Sequence, residues 1–179
     1  MTTEPLAPVH VVPAGPELAQ VLERLWLLFR HDLSEFTGGL PFADATYRSE
    51  RLALALSDDT WAAYLFRLGE VPVGFALVRS IDQEPFVLNS FFVVRGARRS
   101  GVGRDAVRQV ILPRPGRWTV AFQDTNPGAV AFWRRVAADH DPDWTEQLRT
   151  VPERPDLPPD SWIDFRVTKA GEGDSPVKR

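Results

Sequence analysis

The run ARRSGVGRDA, Ala97–Ala106, holds the residue types that bind a phosphate. Gly101 and Gly103 stand two apart, with Arg98 and Arg99 before them and Arg104 after. If a helix begins here, its first-turn N–H groups lack internal partners, and its dipole favours an anion. Glycines without a Cβ let a ligand approach that backbone closely, and the guanidinium groups add charge. Three readings compete. A surface loop with solubilising arginines leaves the paired glycines at a helix start unexplained. A dinucleotide site fits GVGRDA as G-x-G-x-x-A, with Asp124 near where a ribose-binding acid would sit. The third is a site for the diphosphate of an acyl carrier. A Walker loop is excluded, because no G-x-x-x-x-G-K-[ST] occurs.

The elements that must position this loop can be read from periodicity. VHVVPAG reads as a short strand and a turn, and Pro16 opens a helix. Leu18, Val21, Leu22, Leu25, Leu28 and Phe29 recur at helical spacing, predicting a helix to about Leu33, broken by TGGLPF. Asp44 or Thr46 is placed to cap a second helix through YRSERLALALSDD. WAAYLFRL and VPVGFALVRSI, joined by GE, read as a hairpin, and FVLNSFFVV adds a third antiparallel strand. Val102, Ala106, Val107, Val110 and Ile111 form the apolar face of a helix after the glycine loop. RWTVAFQD reads as a strand, and Asn126 with Pro127 starts another helix. DPDWTEQLRT and SWIDFRVTK read as two last strands, linked by the Pro-rich VPERPDLPPD. The order β α α β β β α β α β β predicts an α+β domain with a mixed sheet. One domain spans 1–169, and the Gly- and Ser-rich tail 170–179 is expected to lack fixed structure. The antiparallel meander before the glycine loop disfavours the dinucleotide reading, whose fingerprint should follow the first strand of a βαβ array.

Composition narrows the classes. The 179 residues are 44% hydrophobic and 25% charged, as in globular domains. Cysteine is absent, which removes disulfides, thiolate metal sites and Cys nucleophiles. His10 and His140 have no metal-ligand company, so no metal site is expected. No apolar run is long enough to span a bilayer and the N-terminus does not read as a secretory signal; a cytoplasmic protein without a membrane partner is expected. The net charge of −3 gives no broad nucleic-acid surface and mildly favours a cationic acceptor.

Taken together, several runs resemble the GNAT acyltransferase superfamily. RRSGVG resembles its [RQ]-x-x-G-x-[GA] signature and follows the fourth strand, as in that family. NPGAVAFWRR resembles the Asn-led helix after strand five. DLSEFTG, GFALV, FFVV and PGRW resemble one bacterial group of predicted GNAT acetyltransferases. The similarity covers roughly residues 9–138 and is weak beyond 140. It implies a mostly antiparallel mixed sheet flanked by helices and an acyl-CoA cosubstrate, acetyl-CoA being the simplest. Backbone groups of Phe91 and Val93 would pair with the pantetheine arm. Amides from Ser100 through Gly101, Val102 and Gly103 to Arg104 would take the phosphates, with Arg98 and Arg99 beside them. Asn126 and the Phe132–Trp133 pair would flank the thiol end, although a Trp there is as readily core as ligand.

Catalysis departs from the family's pattern. The resemblance implies an acid just before FFV as base, and Ser90 stands there after Asn89. It implies a Tyr on the helix after Asn126, and Trp133 stands there. Ser90 and Asp32 are the catalytic candidates, with His31, Asp32 and Glu35 expected at the acceptor pocket and Asp124 a further carboxylate. His31, Asp32 and Glu35 fit a solvated polar face at least as well, and Asp124 equally fits a cap for the next helix. Acylation of a small-molecule amine is the leading function. The alternatives are a scaffold taking an aminoacyl-tRNA donor, or an acyl-CoA-binding module without chemistry. A homodimer stays open.

Overall fold

The computed structural model describes residues 7–150 and 159–169. The Pro-rich link between the last two strands, from 151 to 158, and the tail from Ala170 lie outside the described residues. The elements are β1 (Val9–Pro13), a 3-10 turn at Pro16–Leu18, α1 (Ala19–Thr37), α2 (Glu50–Ser57), β2 (Trp61–Leu68), β3 (Val71–Arg79) and β4 (Phe86–Val93). A 3-10 turn at Arg95–Ala97 leads to α3 (Val102–Ile111), β5 (Gly116–Phe122), α4 (Pro127–His140), β6 (Thr145–Arg149) and β7 (Asp160–Val167). This is the expected order.

Two boundaries differ from expectation, each for a local reason. α1 runs past Leu33 to Thr37, because its last turn stays helical until Gly38 adopts φ 65° and donates its N–H to Ser34 O. α2 starts at Glu50, not at Asp44 or Thr46. Asp44 Oδ1 accepts from both Thr46 N–H and Thr46 Oγ–H, at 3.0 and 2.7 Å, closing a turn in place of a cap.

Seven strands form one sheet in the order β1-β2-β3-β4-β5-β7-β6, antiparallel throughout except for β4 and β5, which run parallel. Its faces carry separate cores. Phe66, Val78, Trp118 and Ile163 pack with α3 and α4 on one side. Leu65, Phe75, Leu77 and Phe92 pack with Leu22, Trp26 and Leu52 of α1 and α2 on the other. Burying each of these side chains contributes roughly 1.5–3 kcal/mol, which locks strand register, since a one-residue slip would exchange the faces. α1 and α2 sit on β2 and β3, whereas α4 covers β5 and β7 from the opposite side.

Two irregularities shape the middle of the sheet. β4 and β5 pair only through Phe86, Val87 and Leu88 with Trp118, Thr119 and Val120. Beyond Leu88 the strands part, although β4 continues to Val93 and β5 to Phe122. At the same point the β3–β4 register shifts, with Leu77 opposite Ser90 and Val78 opposite Leu88, leaving Asn89 as a bulge residue.

Candidate active site

The parting of β4 from β5 opens a notch whose wall is peptide backbone. Val94 N–H donates to Val73 O at 2.8 Å, and Phe92 pairs with Phe75. Alternation along the strand therefore turns the main-chain groups of Phe91 and Val93 away from β3, into the notch. Arg98 Nε donates to Val93 O at 2.7 Å, so that carbonyl is already engaged while the N–H groups of Phe91 and Val93 face the opening.

The glycine loop closes one end of the notch. Gly101 is the N-cap of α3 at φ 90°, a conformation that L side chains rarely adopt. It offers no side chain to cap the helix, and Ser100 Oγ donates to Ala97 O instead. The first internal bond runs from Asp105 N–H to Gly101 O, so the N–H groups of Val102, Gly103 and Arg104 have no acceptor inside α3. Gly103 has a packing reason as well: a Cβ there would stand 3.4 Å from the Phe132 ring. Arg104 pairs with Asp139 at 3.0 Å, whereas Arg99, at φ 63°, has no carboxylate partner among the described residues.

Aromatic rings build the floor. Phe132 stacks on Phe91 with centroids 5.5 Å apart, and Trp133 meets Phe91 edge-on at 5.3 Å. Trp133 is buried and belongs to the core, and Phe132 is half-buried. Asn126 caps α4, its Oδ1 accepting from Ala129 N–H at 3.1 Å.

The expected acceptor-side residues divide into groups. Asp32 is bound through both oxygens, to Arg95 Nε at 3.0 Å and to Arg98, and Glu35 accepts from Arg95 at 3.4 Å. These carboxylates tie α1 to the glycine loop, with each Asp32 oxygen held by one guanidinium group. His31 is exposed and stays outside this network. Ser90 is 4% exposed, on the α1–α2 face, and its hydroxyl donates weakly to Asn89 Oδ1 at 3.4 Å. Asp124 is exposed and caps nothing; Asn126 fills that role.

One carboxylate escaped sequence reasoning. Asp160 starts β7, half-buried, and accepts from Gln123 Nε2 at 3.3 Å at the end of β5. Burial, with Asp124 nearby, raises its pKa above the ordinary aspartate value against the pull of Gln123 and Arg51. It stands on the α1–α2 face, because Ile163 and Phe165 of the same strand fill the opposite core. Nothing local in PPDSWIDF marks it, since β7 brings it to the site from across the sheet.

The acetyltransferase (GNAT) family model matches residues 22–138. The chain belongs to the GNAT acetyltransferase family. A comparison with curated proteins finds no sequence match. Among solved structures this GNAT chain is similar to an acetyltransferase from Thermus thermophilus, with TM-score 0.68 and 19% identity over 92% of this chain and 100% of that one. It is similar to the ribosomal-protein-S18-alanine N-acetyltransferase of Escherichia coli, with TM-score 0.62 and 13% identity over 93% and 99%. It is also similar to the PaiA N-acetyltransferase of Thermoplasma acidophilum, solved with coenzyme A, with TM-score 0.63 and 9% identity over 88% and 98%. At these identities the likeness establishes the shared GNAT fold. No helix among the described residues is long and apolar enough to cross a membrane.

Proposed function

We propose that this chain is a cytoplasmic N-acyltransferase that moves an acyl group, most simply acetyl, from coenzyme A to a small-molecule amine. The observation that carries the reading is the join of an open β4 edge to an uncapped α3 start. The N–H groups of Phe91 and Val93 face the notch, and those of Val102, Gly103 and Arg104 end it with no acceptor within their helix. A carrier with an amide-bearing arm and a diphosphate matches that sequence of donors. Arg99, without a carboxylate partner among the described residues, adds a cation at the diphosphate end. Phe132, stacked on Phe91, floors the notch on the α3–α4 side with Trp133 in the core behind it, and Asn126 at the start of α4 would flank the thiol end.

Bound there, acetyl-CoA supplies an activated acyl group as a thioester. The chain must position the amine, take its proton and stabilise the oxyanion. Backbone N–H groups of β4 are the oxyanion donors within the notch. Ser90 and Asn89 border the position where the strands part, and they position the reacting groups without acting as bases. An aminoacyl-tRNA donor has no observation in its favour, since the described basic groups cluster locally on a chain of net charge −3.

The test replaces Ser100, which is exposed in the loop. Ser100→Glu places a carboxylate among the α3 amides and is expected to weaken acetyl-CoA binding more than about tenfold. Ser100→Ala, which loses only the bond to Ala97 O, is expected to bind within about threefold of the parent. Calorimetry with acetyl-CoA reads both. Equal affinity of Ser100→Glu and the parent refutes the placement.

A further inference from the structure

A second charged cluster lies outside the glycine loop. Arg30 of α1, Arg48 just before α2, Arg51 of α2 and Arg79 at the end of β3 lie within electrostatic reach along a chain of neighbours on the α1–α2 side of the sheet. Arg48 is paired with Glu50 at 3.2 Å. Among the described residues, Arg30, Arg51 and Arg79 have no carboxylate within ion-pair distance. The Nε atoms of Arg30 and Arg79 are buried and lack any hydrogen-bond acceptor among the described residues. Both residues are only partly buried, and Arg30 lies over the Tyr47 ring at 5.8 Å; each unpartnered Nε still costs stability unless an acceptor meets it. Burial, reinforced by repulsion from Arg51, lowers the pKa of Arg30; Arg51 itself is exposed, with Asp160 the main attraction on it and Arg79 the main repulsion.

The placement of Asp160 turns this cluster into a two-pole site. Arg51 comes from the helix over β2 and β3, and Asp160 from the strand beyond β5. Between them β4 and β5 part, at Leu88 and Val120. Cation and carboxylate therefore stand on opposite sides of the notch, within electrostatic reach of each other. A ligand that satisfies both poles needs an anion and an amine close together. An α-amino acid separates them by one carbon. A phosphomonoester would set a dianion beside Asp160, which disfavours it. A peptide N-terminus has no carboxylate on its first α-carbon.

We infer that the acceptor is a free α-amino acid whose carboxylate is held by Arg51 and Arg79 and whose amine faces Asp160. The inference rests on the acyl-CoA reading above for the donor. The ammonium gives one proton to the Asp160 carboxylate, which later returns it to solvent. The neutral nitrogen forms a C–N bond to the thioester carbonyl carbon as the C–S bond breaks. The second nitrogen proton goes to the leaving thiolate, giving amide and free thiol.

The experiment compares the twenty L-α-amino acids with their carboxamides and with dipeptides as acceptors, following thiol release from acetyl-CoA. A free acid is expected to exceed its own carboxamide more than about tenfold in kcat/KM. Arg51→Gln is expected to bring that ratio near one. Asp160→Asn is expected to slow acid and carboxamide alike, leaving the ratio intact. Calorimetry of acetyl-CoA alone, and of the amino acid alone, separates the two readings. Loss of acetyl-CoA binding with Arg51-dependent binding of the amino acid fails the donor reading and keeps this one. Carboxamides or dipeptides used as well as acids, an unchanged ratio in Arg51→Gln, or no amino acid bound or acetylated overturns it.

Discussion

At the residue scale, Asp160 has a consequence for stability apart from its place at the site. Burial is the main cause of its raised pKa. Its proton is held more tightly in the folded chain than in the unfolded one, where the value is near 3.8. The stability this confers is full below that value and is lost as pH rises through the folded pKa, so above the folded pKa the ionised carboxylate weakens the fold. Asp160→Asn removes that penalty. Thermal melts should show the variant gaining on the parent as pH goes from 3 to 7, with the difference growing through the folded pKa. A difference independent of pH would mean that the carboxylate is as well solvated folded as unfolded. Asp32 is the contrasting case. Both its oxygens are held by Arg95 and Arg98, so it orders the loop that Arg98 also ties to Val93 O.

At the element scale, β4 is steered by its neighbour β3. Gly74 stands opposite Val93, and a Cβ there would lie 2.2 Å from Phe92 O and 2.8 Å from the Phe66 ring. Backbone cannot yield as a flexible side chain can, so Gly74→Ala is expected to destabilise the fold by more than about 2 kcal/mol. Denaturant melts measure this. What could be read from sequence follows the same line between local and distant causes. The helical spacing of Leu22 and Leu25, the Asn126–Pro127 start of α4 and the turn between β2 and β3 are local, and the structure places each where the pattern indicates. The glycine loop and its helix were legible because backbone amides need only a helix start. The α2 start was not, since Asp44 prefers its own turn to a cap. The pairing of Arg95 and Arg98 with Asp32, the Asn89 bulge and the arrival of Asp160 beside Gln123 join residues far apart in the chain. No periodicity encodes such pairings.

At the scale of the whole molecule, the sheet is two antiparallel blocks, β1 to β4 and β5 to β7, meeting through three residue pairs of strand contact. A ligand seated along the free edge of β4 would add bonds where this contact is weakest. At one hundred times its dissociation constant, acetyl-CoA should stabilise the fold by about 2.7 kcal/mol, a rise in Tm of roughly 5–11 °C. Differential scanning fluorimetry tests this, and no rise at saturating concentration would argue against a ligand bridging the blocks. The short seam also has a mechanical consequence. A load pulling the two blocks apart would shear few rungs before failing, while each block keeps its long ladders. Forced-extension traces should thus begin with a low-force event at this junction, and a saturating carrier should move that event to higher force.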